Sequence, residues 1–251
     1  MKTSSYRLFA ERFGRQLLFA LVSDLHGEDP SKALDVLREK RPDYILMPGD
    51  ILERLNGEDD FKHQNGFRLL SEAAEIAPVF YCTGNHEDGG VHSWRVSWNI
   101  RTKPRVYHET DRYLIRESGV NFLEDSFMIR DGIAFGGLQS GLINEGGKPS
   151  LAWLDEFFAL DMPKVLLCHH PEYYEKYLKE RPIDLIVSGH AHGGQWRFFG
   201  RGVFAPGQGI FPKYTRGVHD DRFVIGTGLK KGSVLIPRLF NSPEIVFVHG
   251  T

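Results

Sequence analysis

The feature that most constrains this chain is a pattern that recurs five times: a short apolar run that ends in a polar cluster. Leu17-Leu18-Phe19-Ala20-Leu21-Val22 runs into Ser23-Asp24-Leu25-His26, and Tyr44-Ile45-Leu46-Met47 into Pro48-Gly49-Asp50. Val79-Phe80-Tyr81-Cys82 precedes Thr83-Gly84-Asn85-His86-Glu87. Val165-Leu166-Leu167-Cys168 precedes His169-His170-Pro171, and Leu185-Ile186-Val187 precedes Ser188-Gly189-His190-Ala191-His192. Unbroken apolar runs of three to six residues predict strands buried on both faces.

Helical signals lie between these runs. Asp29 is placed to cap a helix with Pro30 at its first position, and Ala33, Leu34, Val36 and Leu37 line one face. Phe67, Leu70, Ala73, Ala74 and Ala77 form a second stripe. Leu151, Leu154, Phe157 and Phe158 predict a third helix, and Tyr173, Tyr177 and Leu178 a fourth. Alternation of strand and helix predicts an α/β fold, in which ligands gather at the carboxyl ends of the strands. From about Gly194 onward, short runs (Phe223-Val224-Ile225, Val234-Leu235-Ile236 and Ile245-Val246-Phe247-Val248) alternate with turns. They predict an antiparallel set that completes a second sheet, so that residues 1–251 form a single domain.

The clusters carry the residue types of a metal centre. Asp24 and His26 are two apart, as are His190 and His192, and on an extended chain such pairs point to one side. Asp50 follows a glycine, and Asn85 and His86 sit in a Gly-Asn-His-Glu turn. Carboxylates and imidazoles at short spacing suit a borderline divalent cation, and without a thiolate the set fits Mn, Fe, Co or Zn. Any one Asp-x-His is common and has an ordinary structural explanation; five such clusters in order, each after its own strand, do not.

Taken together, Asp24-Leu25-His26, Gly49-Asp50, Gly84-Asn85-His86-Glu87, His169 and Gly189-His190-Ala191-His192 resemble the signature of the calcineurin-like metallophosphoesterases. Gly193-Gly194-Gln195, Pro206-Gly207 and Lys213-Tyr214 with Gly217 resemble its YkuE/YaeI-type branch, whose relatives include UDP-diacylglucosamine pyrophosphatases. The resemblance implies a four-layer αββα sandwich of two mixed β-sheets flanked by helices. It implies one metal held by Asp24, His26, Asp50 and His192, and a second held by Asp50, Asn85, His169 and His190, with Asp50 shared. The family's His-x-Pro pattern selects His169 over His170. The implied reaction is hydrolysis of a phosphomonoester, phosphodiester or pyrophosphate by a metal-bound hydroxide, two ions lowering the pKa of water to about 7. The resemblance gives His86 a catalytic role beside the metals, oriented by the acid three residues after Asp50. That acid is Glu53 here, where many relatives carry Asp. The competing expectation is a scaffold of the same fold that binds metal without turnover.

Composition narrows the substrate class. The net charge of -2, from 31 basic and 33 acidic residues, lacks the basic excess of a protein that grips nucleic acid. Leu17 to Val22 is too short for the core of a signal peptide, and no segment reaches the length of a membrane span. Cys82 and Cys168 sit in apolar runs and predict buried free thiols and the cytoplasm. Trp94 and Trp98, with Trp196, Phe198, Phe199, Ile210 and Phe211, predict either loop packing or an exposed rim. A rim would suit a lipid-linked or nucleotide-diphospho substrate and peripheral membrane contact.

Overall fold

A computed structural model describes residues 1–8, 11–53, 60–87, 109–141, 148–232 and 238–250. Two six-stranded mixed sheets pack face to face. The first contains β1 (Lys2–Leu8), β2 (Leu17–Leu21), β3 (Tyr44–Pro48), β4 (Val79–Cys82), β5 (Asn121–Phe122) and β16 (Glu244–Gly250), in the order β1-β16-β2-β3-β4-β5. The second contains β6 (Ser126–Arg130), β7 (Ile133–Leu138), β8 (Lys164–Cys168), β9 (Leu185–Ser188), β14 (Gly217–His219) and β15 (Phe223–Ile225), in the order β14-β15-β9-β8-β7-β6. Two small ribbons, β10 (Arg197–Phe198) with β11 (Arg201–Gly202) and β12 (Phe204–Ala205) with β13 (Gly209–Ile210), follow the last His cluster.

The five apolar runs are all strands, and their side chains divide by the two-residue period of the pleat. Phe19, Leu21, Tyr44, Leu46, Phe80 and Cys82 point inward against Phe135, Val165, Leu167, Leu185 and Val187, which forms the core between the sheets. The alternate residues Ala20, Ile45, Met47, Val79 and Tyr81 face outward, onto Leu34 and Leu37 of α1 (Ser31–Lys40) and Leu69, Leu70 and Ala73 of α2 (Asp60–Ala74). On the far side Leu166, Cys168 and Ile186 meet Leu154 and Phe157 of α3 (Leu154–Ala159) and Tyr174 and Leu178. Helices, sheet, sheet, helices: the predicted αββα order is present.

Three details differ from the expectation. Helix α1 begins one residue later than the cap pattern predicts: Pro30 is at the N-cap position and Asp29 Oδ1 accepts the Ser31 N–H at 3.1 Å. The segment around Tyr173 is a single wide turn, Tyr174–Leu178, rather than a longer helix. The late strands do not all build the second sheet. β14 and β15 do, β15 running parallel to β9, but β16 enters the first sheet between β1 and β2, parallel to the former and antiparallel to the latter. The Val234–Ile236 run lies outside the described residues.

Candidate metal centre

Strands β2, β3 and β4 run parallel to one another, as do β8 and β9, so each set opens its polar clusters at one edge. The two edges meet. Asp50 Oδ2 lies 3.2 Å from His169 Nε2 on the opposite sheet and 3.5 Å from His26 Nε2 on its own. Asn85 Oδ1 lies 3.1 Å from His169 Nε2. His26 Nε2 and His192 Nε2 lie 3.9 and 3.8 Å from Asp24 Oδ1, and the Asp24 carboxylate accepts the backbone N–H of His190 at 3.0 Å. The His169 and His190 rings are 5.0 Å apart. All seven sequence-selected ligand candidates therefore share one cleft. Six of the seven fall into two sets, Asp24 with His26 and His192, and Asp50 with His169 and His190, each with donor atoms within 4.8 Å; His26 also groups with Glu53 and His86, and His190 with His170 and Glu172.

The backbone that presents them is unusual. Asp24, His26, Asp50, His190 and His192 all have left-handed φ, between 45° and 64°. Such a conformation costs an L-residue roughly 1–2 kcal/mol, and its concentration at one site points to function. It also corrects the extended-chain argument for Asp24 and His26. The pair shares a side because each residue turns left-handed in a loop beyond β2, not because a pleat alternates there. Close approach of the loops explains two glycines. A Cβ on Gly84 would meet Asp50 Oδ1 at 2.3 Å, and one on Gly189 would meet Asp24 Oδ2 at 2.4 Å.

The donor set fits a divalent cation. Among the described residues, His26 Nε2 and His190 Nε2 are buried without a hydrogen-bond partner, which an imidazole nitrogen rarely tolerates unless a cation takes its lone pair. Burial, then the neighbouring His170 and His169, holds His190 well below the usual histidine pKa; burial, then His26, does the same to His192. Both are therefore neutral donors. Burial opposes ionisation of Asp50, but His169, His86 and His26 around it hold its carboxyl well below the ordinary range.

His86 and Glu53 lie at the mouth. Glu53 Oε2 is 2.8 Å from Nδ1 of both His86 and His26, so the longer acid reaches the catalytic candidate and a ligand candidate with one oxygen. His86 Nε2 lies 3.9 Å from Asp50 Oδ2, and its backbone N–H is accepted by Asp50 Oδ1 at 2.9 Å. His170 also borders the cluster: its ring is 4.3 Å from that of His190, with which Glu172 and His170 form a further donor group, while its Nε2 is 2.7 Å from Ser140 Oγ and its Nδ1 3.3 Å from Glu172 Oε1. Cys168 and Cys82 are free, buried and outside the ligand clusters.

Three supporting residues carried no role in the sequence reading. The buried Glu87 carboxylate accepts the N–H groups of Asp50, Ile51, Leu52 and Gly84 at 2.7–2.9 Å and the Tyr81 hydroxyl at 2.9 Å. It ties the Asp50 loop to the Asn85 turn. Its place in the Gly-Asn-His-Glu cluster was the available signal. Arg238 Nη2 lies 3.0 Å from His192 Nδ1, and Asn241 Nδ2 donates to the His192 carbonyl at 2.6 Å. Nothing local in Arg238-Leu239-Phe240-Asn241 announces either contact. Of the aromatic rim candidates, Phe198, Phe199, Ile210 and Phe211 are exposed, Trp196 is half-buried, and Trp94 and Trp98 lie outside the described residues.

Two mixed sheets that deliver carboxylate, amide and imidazole donors to a shared edge define a metal-dependent phosphohydrolase. Residues 17–194 match the calcineurin-like phosphoesterase profile, and the chain belongs to that family. It is 30% identical over 221 residues to phosphodiesterase YaeI of Escherichia coli K12, covering 85% of this chain and 66% of YaeI. It is 24% identical over 274 residues to UDP-2,3-diacylglucosamine pyrophosphatase LpxG of Chlamydia muridarum, covering 91% and 82%. With the uncharacterized metallophosphoesterase YkuE of Bacillus subtilis it shares 26% identity, covering 87% and 71%. Among the described residues, no helix is long and apolar enough to cross a membrane.

Proposed function

We propose that this chain hydrolyses a phosphodiester or pyrophosphate with two divalent cations, one held by Asp24, His26, Asp50 and His192, the other by Asp50, Asn85, His169 and His190. The observation that carries this reading is the position of Asp50, whose Oδ2 faces His26 at 3.5 Å and His169 at 3.2 Å, one from each sheet. When bound, the ions supply an activated water and neutralise charge on the phosphoryl oxygens. Mn, Fe, Zn and Co all suit the donors.

The protein's own part is positioning and proton handling. The Glu53 carboxylate sits 2.8 Å from Nδ1 of His86 as an ion-pair partner, on the ring edge away from Nε2, which lies 3.9 Å from Asp50 Oδ2. Burial works against a charge on His86, but Asp50 and Glu53 raise its pKa, which favours a proton on Nε2. That proton passes to the leaving oxygen as its bond to phosphorus breaks, while water adds to phosphorus from the other side and gives up a proton to solvent, from which His86 is reprotonated. Glu87 holds the Asp50 and Asn85 loops at fixed spacing throughout. LpxG's name specifies a lipid-bearing nucleotide diphosphate, and the exposed Phe198, Phe199, Ile210 and Phe211 support an amphiphilic substrate of that class for this chain. The buried free thiols fit a reducing compartment, and we assign the protein to the cytoplasm.

The test is hydrolysis of bis(4-nitrophenyl) phosphate by the purified chain with added Mn. Asp50→Asn is expected to bring the rate to background. His86→Gln is expected to lower kcat about a hundred- to ten-thousand-fold with metal content unchanged. An Asp50→Asn protein as active as the parent, or a parent inactive with each of the four metals, overturns the reading.

A further inference from the structure

Six large apolar side chains that no core absorbs lie on and beside the two ribbons: Phe198, Phe199, Ile210, Phe211, Leu239 and Phe240. Phe199 is fully exposed, Phe240 83% and Phe211 76% exposed. The segments form one connected unit. The Phe198 and Phe240 rings pack edge to face at 6.0 Å, Arg197 N–H donates to the Leu239 carbonyl, and Phe211 N–H donates to the Val203 carbonyl, whose own N–H reaches Trp196.

Two features separate this face from leftover surface. Phe199, Phe211 and Phe240 each have left-handed φ, at 48°, 52° and 54°, a backbone state that disfavours bulky side chains. Gly or Asn would occupy those turns at less cost. Three phenylalanines there point to use of the rings outside the fold. The segment also leaves one cation unneutralised at this face. From Ala191 to His219 the chain has Arg197, Arg201, Lys213 and Arg216 and no carboxylate. Arg197 and Arg216 are engaged with Thr215 and Glu244, and the exposed Lys213 pairs with Glu175, while Arg201 is exposed between the aromatic turns. The aromatic apices, with the exposed Arg201 among them, complement a surface that is apolar below and negative at its boundary.

We propose that this ribbon face docks on an anionic phospholipid bilayer, the phenylalanine apices entering the acyl boundary and Arg201 meeting the phosphate layer. Arg238 and Asn241, which flank Leu239 and Phe240, contact His192 at 3.0 and 2.6 Å, so a bilayer seated here lies beside the candidate metal cleft. The docking does not depend on the hydrolytic reading.

The experiment is sedimentation of the full chain with vesicles of phosphatidylcholine, with and without phosphatidylglycerol. The parent is expected to partition onto the mixed vesicles and more weakly onto pure phosphatidylcholine. Phe199→Asn, Phe211→Asn and Phe240→Asn combined are expected to lower the partition coefficient at least about tenfold, as loss of three buried rings requires. Because Asn accepts left-handed φ, that variant is expected to melt at a temperature no lower than the parent. Arg201→Gln is expected to weaken binding to mixed vesicles only. A parent that stays in solution with both vesicle types overturns the proposal, as does a variant that partitions equally. A dimer in analytical ultracentrifugation that the triple variant dissociates would also overturn it, by giving the face to a second copy.

Discussion

At the scale of single residues, Asp50 is where the candidate centre is tied together: its Oδ2 lies 3.5 Å from His26 Nε2 and 3.2 Å from His169 Nε2, while its backbone N–H is accepted by Glu87. Asp24, His26, Asp50, Asn85, His169, His190 and His192 stand out because donors of that kind follow apolar strands. Glu87 is hidden by its ordinary look, since one carboxylate in a polar turn gives no sign that it will collect five hydrogen bonds. Arg238 and Asn241 are harder still: their partner His192 is more than forty positions away in sequence, and only the closed fold joins them. A residue-level prediction concerns Tyr44, buried between the sheets, whose hydroxyl donates to Asp131 at 2.8 Å and accepts from Arg15 at 3.1 Å. Burial, and then Asp131, raises its pKa to about 12. The folded state thus retains a proton that the unfolded chain releases near the ordinary value of about 10. The resulting stabilisation is complete below pH 10 and declines as pH rises from 10 toward 12. Denaturant midpoints across that range should fall more steeply for the parent than for Tyr44→Phe, which itself should cost about 1 kcal/mol at neutral pH.

At the scale of elements, the strands that were evident are those with both faces buried. β2, β3, β4, β8 and β9 are continuous apolar runs, and each is found where its run lies. β1, with sequence Lys-Thr-Ser-Ser-Tyr-Arg-Leu, has only one end in the core and gives no such run. β7 is wholly buried, yet its Gly136-Gly137 pair breaks the apolar pattern; a Cβ on Gly137 would meet Leu123 Cβ at 2.5 Å, so close packing against Leu123 leaves no room for a side chain. β16 was evident as a strand but not as a member of the first sheet, because sheet membership depends on a partner more than two hundred residues earlier. The packing between sheets carries its own prediction. Phe80 of β4 stacks on Phe135 of β7 at 3.6 Å and 9°, ring on ring across the interface. Phe80→Ala would open a cavity between the two layers and should cost about 3–5 kcal/mol, measured by urea unfolding.

At the scale of the whole molecule, the two-layer arrangement was implied by the family resemblance and is realised, while the convergence of the loops follows from parallel pairing within each sheet. β2, β3 and β4 deliver Asp24, His26, Asp50 and Asn85; β8 and β9 deliver His169, His190 and His192. A cation that binds the native cleft but not the unfolded chain adds stability by mass action, about 2.7 kcal/mol at a hundredfold excess over Kd. Mn is therefore expected to raise the melting temperature of the parent, chelator to reverse the rise, and Asp50→Asn to blunt it. An unchanged melting temperature under saturating Mn, Fe, Zn or Co would count against a cation in this cleft. The division of donors between sheets has a further consequence for how the pocket comes into being. Neither layer carries the whole donor set proposed for either ion, although His26, Glu53 and His86 gather on the first layer alone, so a fragment ending before β8 should hold metal more weakly than the whole chain. The rise to full metal affinity during refolding would then serve as a clock for the moment the two layers close on each other.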